Sequence, residues 1–174
     1  MFTHMLSCKI TNKCNRNISS VPDFIDHDTS NYEFNMIRHE NGNIIMEMSY
    51  ENKQKHRTNK PSHIMYFENV KMTKESWFKN GKLHRTTGPA FISYYENGNV
   101  NEEMWYVNGL LHHSEEPAVI KYFKNGHINE KKWYKYGRLN RVGGSALLIF
   151  NEDGKIVDYL YMGVFFLPPI NQIL

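Results

Sequence analysis

One phrase recurs along this chain at a fixed interval, so its fold must place several copies in equivalent surroundings. WFKNGKLHRTTGPAFISYYENGNVNEEM begins at Trp77, WYVNGLLHHSEEPAVIKYFKNGHINEKK at Trp105, and WYKYGRLNRVGGSALLIFNEDGKIVDYL at Trp133. The period is 105 − 77 = 133 − 105 = 28 residues. Periods of about 20–50 residues mark repeat architectures, in which one small unit buries its apolar side only against its neighbours. Counting back 28, Asn52, His56, Arg57, Pro61, Ile64, Tyr66, Glu68 and Asn69 precede Asn80, His84, Arg85, Pro89, Ile92, Tyr94, Glu96 and Asn97. A further step back sets Met36, Glu40 and Asn41 ahead of Ile64, Glu68 and Asn69. Forward, Tyr161 stands where a fourth tryptophan would fall, so the repeats cover about residues 34–167. The chain divides into an irregular N-terminal lead-in, residues 1–33, and a repeat array with a C-terminal cap, residues 34–174.

The chemistry of one unit is that of β-hairpins. Asn41-Gly42, Asn97-Gly98, Asn125-Gly126 and Asp153-Gly154 each interrupt strand-like runs, and such steps favour two-residue type I′ turns. Pairing counted outward sets Tyr95 against Val100, Ile92 against Glu103, Ala90 against Trp105 and Ala118 against Trp133. A second reversal follows each of the first two tryptophans at Asn80-Gly81 and Asn108-Gly109, with Tyr136-Gly137 in the third unit. It sets Trp77 against His84 and Trp105 against His112. Strand alternation then gathers Ala90, Ile92, Tyr94 and Trp105 on one face, with their counterparts 28 residues on. The expected fold is all-β: an elongated single-layer antiparallel meander of tandem 28-residue β-hairpin repeats. Gly98, Gly126 and Gly154 serve its turns, and Trp77, Trp105, Trp133, His84 and His112 its packing.

Composition narrows the function classes. A balance of 21 Lys+Arg against 18 Asp+Glu, interleaved along the chain, lacks the basic stripe of a nucleic-acid binder. Cys8 and Cys14 form no disulfide framework and do not match zinc spacing, so we expect no metal and a reducing, intracellular setting. Absence of a long apolar run argues against a membrane span. His56, His84 and His112, each followed by Arg57, Arg85 or His113, would make a ligand ladder on one reading. Packing explains them better, since a packing residue is needed in every unit and a catalytic one is not. On that reading each histidine lies on the tryptophan across its turn, and each arginine reaches a nearby carbonyl or carboxylate. Glu102, Glu103, Glu115, Glu116 and Glu130 lack the pocket that would split paired carboxylates into acid and base, and Lys121 opposes Glu130 as a cross-strand ion pair. No nucleophile motif or phosphate loop is present, and we expect no cofactor and no enzyme.

The motifs WFKNGKLHRTTGPA (77–90), WYVNGLLHHSEEPA (105–118) and WYKYGRLNRVGGSA (133–146) resemble the MORN repeat family. They are similar to its W-Y-x-N-G-x-x-H-R-x-x-G-P-A variant of large DNA viruses and some bacteria. The resemblance implies a twisted single-layer sheet used for protein contacts, scaffolding or membrane apposition. It points to a viral scaffold or virion-associated structural protein, in host cytoplasm or virion. The alternatives it carries are an antitoxin- or immunity-like binder and a peripheral membrane-apposed scaffold. A protein partner or self-association is expected. The face opposite the tryptophans varies from unit to unit, which places partner contacts at Phe91, Tyr95, Met104, Tyr106, Phe123 and Tyr134.

Overall fold

The computed structural model describes residues 6–10, 32–69 and 71–161, and every regular element among them is a β-strand. The long strands are β1 (Leu6–Ile10), β2 (Tyr32–Arg38), β3 (Ile44–Glu51), β5 (His63–Tyr66), β6 (Met72–Ser76) and β9 (Phe91–Tyr94). They continue as β10 (Val100–Met104), β13 (Val119–Tyr122), β14 (Ile128–Lys132), β17 (Ser145–Phe150) and β18 (Ile156–Tyr161). Two-residue strands lie between them: β4 (Gln54–Lys55), β7 (Phe78–Lys79), β8 (Lys82–Leu83), β11 (Tyr106–Val107), β12 (Leu110–Leu111), β15 (Tyr134–Lys135) and β16 (Arg138–Leu139).

The long strands form one open sheet in the order β1-β2-β3-β5-β6-β9-β10-β13-β14-β17-β18, with β4 attached to β3. Every pairing is antiparallel, so the fold is the all-β single-sheet meander the sequence led us to expect. The lead-in was expected to be irregular, yet Leu6–Ile10 forms an edge strand against β2. Cys8 lies on that strand, while Cys14 and the closing FFLPPINQIL lie outside the described residues.

The turns at the Asn-Gly steps of the long hairpins differ from expectation. Gly98 N–H donates to Tyr95 C=O (2.8 Å) and Tyr95 N–H to Asn99 C=O (2.8 Å), closing a three-residue loop over Glu96-Asn97-Gly98. Only the glycine takes a left-handed backbone there (φ 92°), as a type I turn followed by a glycine bulge requires. The same two bonds close the loops at Gly42, Gly126 and Gly154. Each loop is one residue longer than a type I′ turn, and a bulge in the following strand restores the register. Val100 pairs with Tyr94 instead of Tyr95, but Ile92 still pairs with Glu103. Ala90 does not pair with Trp105: its N–H reaches Met104 C=O, and Trp105 N–H turns to Ala118 C=O. Trp133 likewise leaves Ala118 and donates to Ala146.

Type I′ geometry appears instead in the short hairpins. Asn80 (φ 51°) with Gly81, Asn108 (φ 51°) with Gly109, and Tyr136 (φ 49°) with Gly137 are all left-handed pairs. Each short hairpin is tied to the one before it, through Gly81 N–H to Lys55 C=O, Gly109 N–H to Leu83 C=O, and Gly137 N–H to Leu111 C=O. They form a row along one end of the sheet. Every glycine in that row therefore serves both the turn and the contact with the preceding hairpin.

Candidate interaction surfaces

Cross-strand register sorts the side chains into rows, because directly opposed residues point to the same side of a sheet. One row on the tryptophan face runs Glu47–Ile64–Glu75–Ile92–Glu103–Ile120–Lys131–Leu148–Tyr159. Tyr66 donates to Glu47 (2.9 Å), Tyr94 to Glu75 (2.8 Å) and Tyr122 to Glu103 (2.7 Å). Each bond joins a tyrosine to a carboxylate on the neighbouring strand, diagonally, two residues along from the isoleucine directly opposite that acid. Burial raises Glu75 above the usual carboxylate range although the Tyr94 bond and Arg85 pull it down. Tyr66 is pushed up to about 12, first by burial and then by the Glu47 hydrogen bond, so the phenols stay protonated donors. The next pair breaks the pattern at both ends. Lys131 takes the acid position, Phe150 the phenol position, and the ammonium stands over the ring at 5.9 Å.

Two of the tryptophans are covered by cations. The Arg85 guanidinium stacks over Trp77 at 3.8 Å and donates to Pro89 C=O, and Arg141 stacks over Trp133 at 3.7 Å and donates to Ser145 C=O. His113 fills the arginine position against Trp105, edge-on at 5.8 Å. The expectation that histidines pack on the tryptophans is corrected here. His56 Nδ1 accepts from Asn80 N–H and His84 Nδ1 from Asn108 N–H, each clasping the next short hairpin. His112 meets a tyrosine instead of an asparagine in that place, and its ring stacks on Tyr136 at 4.2 Å. Trp133 is buried, whereas Trp77 and Trp105 are half-buried, for a single layer leaves one side of each ring near water.

The opposite face carries the row Met48–His63–Ser76–Phe91–Met104–Val119–Lys132–Leu147–Leu160. Phe91 and Met104 are direct cross-strand partners, and the Tyr106 hydroxyl reaches the Met104 sulfur at 3.4 Å. Tyr134 occupies the Tyr106 place one unit on. Tyr95 and Phe123 lie apart from these four, at the three-residue loops. The Tyr95 hydroxyl donates to Tyr122 C=O across to the next hairpin (2.7 Å). All six anticipated contact residues are half-buried. Beside them Lys121 bridges Glu102 (3.8 Å) and Glu130 (3.5 Å), the latter being the cross-strand pair anticipated. Nearer the other edge, burial and then Lys55 and Lys74 hold His63 neutral, with its pKa lowered to about 4.

The most exposed apolar side chains lie elsewhere. Leu110, Tyr136 and Val142 stand out near the row of short hairpins, and Ile156, Val157, Tyr159, Leu160 and Tyr161 stand out along β18. A signal for the first set was present in the repeat register. Leu110 occupies the position of Gln54, Lys82 and Arg138, and Tyr136 that of Asn52, Asn80 and Asn108. Comparison with protein families, curated proteins and solved structures finds no match to this chain.

Proposed function

We propose that the chain is a tandem 28-residue, MORN-like hairpin array that acts without catalysis, by binding other proteins. The observation that carries this reading is the contrast between the two faces. At the tryptophans the units repeat the same backbone bond, from Trp77 N–H to Ala90, Trp105 to Ala118 and Trp133 to Ala146, and side-chain departures on that face are few. On the other face equivalent positions hold His63, Phe91, Val119 and Leu147, and all but the buried Val119 are left partly open to solvent. Uniform packing under variable chemistry is what a scaffold with a partner-specific side would carry. A viral scaffold or virion-associated structural role fits the motif resemblance, with the array spreading contacts along the sheet.

The test is capture by the intact chain. Phe91→Val with Met104→Lys gives this hairpin the residues its own counterpart uses at Val119 and Lys132, so folding should be kept. We expect an unchanged melting temperature and a loss of partner capture of at least about tenfold, or about 1.4 kcal/mol. Undiminished capture would sink the assignment of this face. Absence from purified particles, together with a stoichiometric complex with one toxin or host factor in lysate, would move the role to sequestration.

A further inference from the structure

We propose that β18 is a self-association edge, on which a second copy pairs antiparallel about a two-fold axis at Tyr159. This goes beyond the binding face proposed above, for it uses the end of the sheet rather than its side.

The first observation is an inversion of composition and exposure. Three of the four inner strands in the equivalent place, MTKES in β6, VNEEM in β10 and INEKK in β14, are largely polar and yet buried or half-buried. β18 reads IVDYLY, the most apolar of the set, and all six of its residues are exposed. Edge strands that stay monomeric are normally blunted with charge or proline; this one carries a single acid.

The second observation is continuity with an interface the molecule already uses four times. β3, β6, β10 and β14 each take the next hairpin through three consecutive residues: Met46–Met48, Lys74–Ser76, Glu102–Met104 and Glu130–Lys132. Counting on 28 residues from the last window gives Asp158, Tyr159 and Leu160. No strand among the described residues pairs with that window. Among the described residues it is the same docking edge without its next hairpin.

Symmetry selects the occupant. Every pairing in the sheet is antiparallel, and β1 and β18, at opposite edges of an eleven-strand path, run in the same direction. A copy added head to tail would therefore meet β18 in parallel. A two-fold perpendicular to the sheet gives the antiparallel pairing and keeps each face continuous. Face continuity requires opposed residues of the same parity. An axis at Asp158 would set two carboxylates directly against each other, which is destabilising. An axis at Tyr159 pairs Tyr159 with itself and Asp158 with Leu160, the same three-residue window the inner strands use. Asp158 Oδ1 now accepts from Tyr159 N–H at 2.8 Å, and a change of that side chain's rotamer frees the donor for the second copy.

The experiment takes the full chain through rising concentration in analytical ultracentrifugation, beside Tyr159→Lys and Tyr159→Cys variants. The wild type should dimerise reversibly, and Tyr159→Lys should weaken the dimer at least about tenfold while circular dichroism and melting temperature hold. Oxidised Tyr159→Cys should give a disulfide joining position 159 of one copy to position 159 of the other, read by mass spectrometry, independent of the lysine variant's folding. A monomer at every concentration overturns the proposal, as cover by the chain's own C-terminal residues or by a different protein would produce. So does a dimer indifferent to Tyr159→Lys, or a linkage that runs only to Cys8 or Cys14.

Discussion

The acid–phenol pairs show how a single-layer sheet can keep carboxylates half-buried. Each of Glu47, Glu75 and Glu103 accepts from a tyrosine on the next strand of the sheet, and water still reaches the pair. At Glu75, removing the donor alone leaves the acid short of a partner in a site whose burial already disfavours its charge. The chain itself shows the permitted alternative, since acid and phenol are replaced together at Lys131 and Phe150. We expect Tyr94→Phe to destabilise by about 1 kcal/mol, the low end for an unpartnered acceptor that remains partly solvated. Glu75→Lys with Tyr94→Phe, copying the last pair, should recover most of that loss. Thermal melts of the two variants decide it, and a double variant less stable than Tyr94→Phe alone would refute the pairing argument. Tyr94 was assigned to the correct face from alternation, but the Glu75 bond was not legible. Its partners lie 19 residues apart on the paired strands β6 and β9, offset diagonally by two residues, and counting outward from the hairpin turns does not set the contact between one hairpin and the next.

Two kinds of turn share one dipeptide here, and the flanking hydrogen bonds separate them. Asn108 is itself left-handed, at φ 51°, and contributes its backbone N–H to His84 Nδ1. Asn97 precedes the left-handed residue instead; its side chain accepts from Asn99 N–H (3.0 Å) and donates to Lys124 C=O in the next hairpin (3.0 Å). Asn108→Gly should therefore lie within about 0.5 kcal/mol of wild type, because glycine adopts positive φ freely and no side-chain bond is lost. Asn97→Gly should cost about 1–2 kcal/mol by losing both side-chain bonds and gaining nothing in the backbone. Chemical denaturation of the pair reads the difference, and equal effects would contradict the two turn assignments. From sequence, both steps read as type I′, since Asn-Gly serves either loop. The residue that distinguishes them is the bulge one strand away, at Asn101 or Asn129, and a bulge leaves no compositional mark.

Across the whole molecule the period, the strand pairing and the tryptophan face were legible because each repeats, and repetition averages out local ambiguity. The lead-in strand was missed because it has no counterpart to compare, and the β18 edge because its difference from β6, β10 and β14 shows only once exposure is known. The same one-dimensional order governs how the fold should fail. Long strands pair only with their immediate neighbours, and the short hairpins bond to the hairpin before and the hairpin after, so opening at one point has no direct route to distant strands. Stability in such arrays is close to a sum of unit and interface contributions. Trp133 is the one buried tryptophan, capped by Arg141 and bonded through its N–H to Ala146. Trp133→Ala should cost about 3 kcal/mol or somewhat more, as truncating a buried aromatic does. The loss should be local: amide hydrogen exchange should quicken over β13 to β18 while β2 to β6 keep wild-type protection. Trp105→Ala, nearer the middle, should spread its effect to both sides, reaching β9 as well as β14. A uniform rise in exchange along the chain for either variant would mean that the sheet unfolds as one cooperative body. The additive account of its stability would then fail, even though the strand order stands.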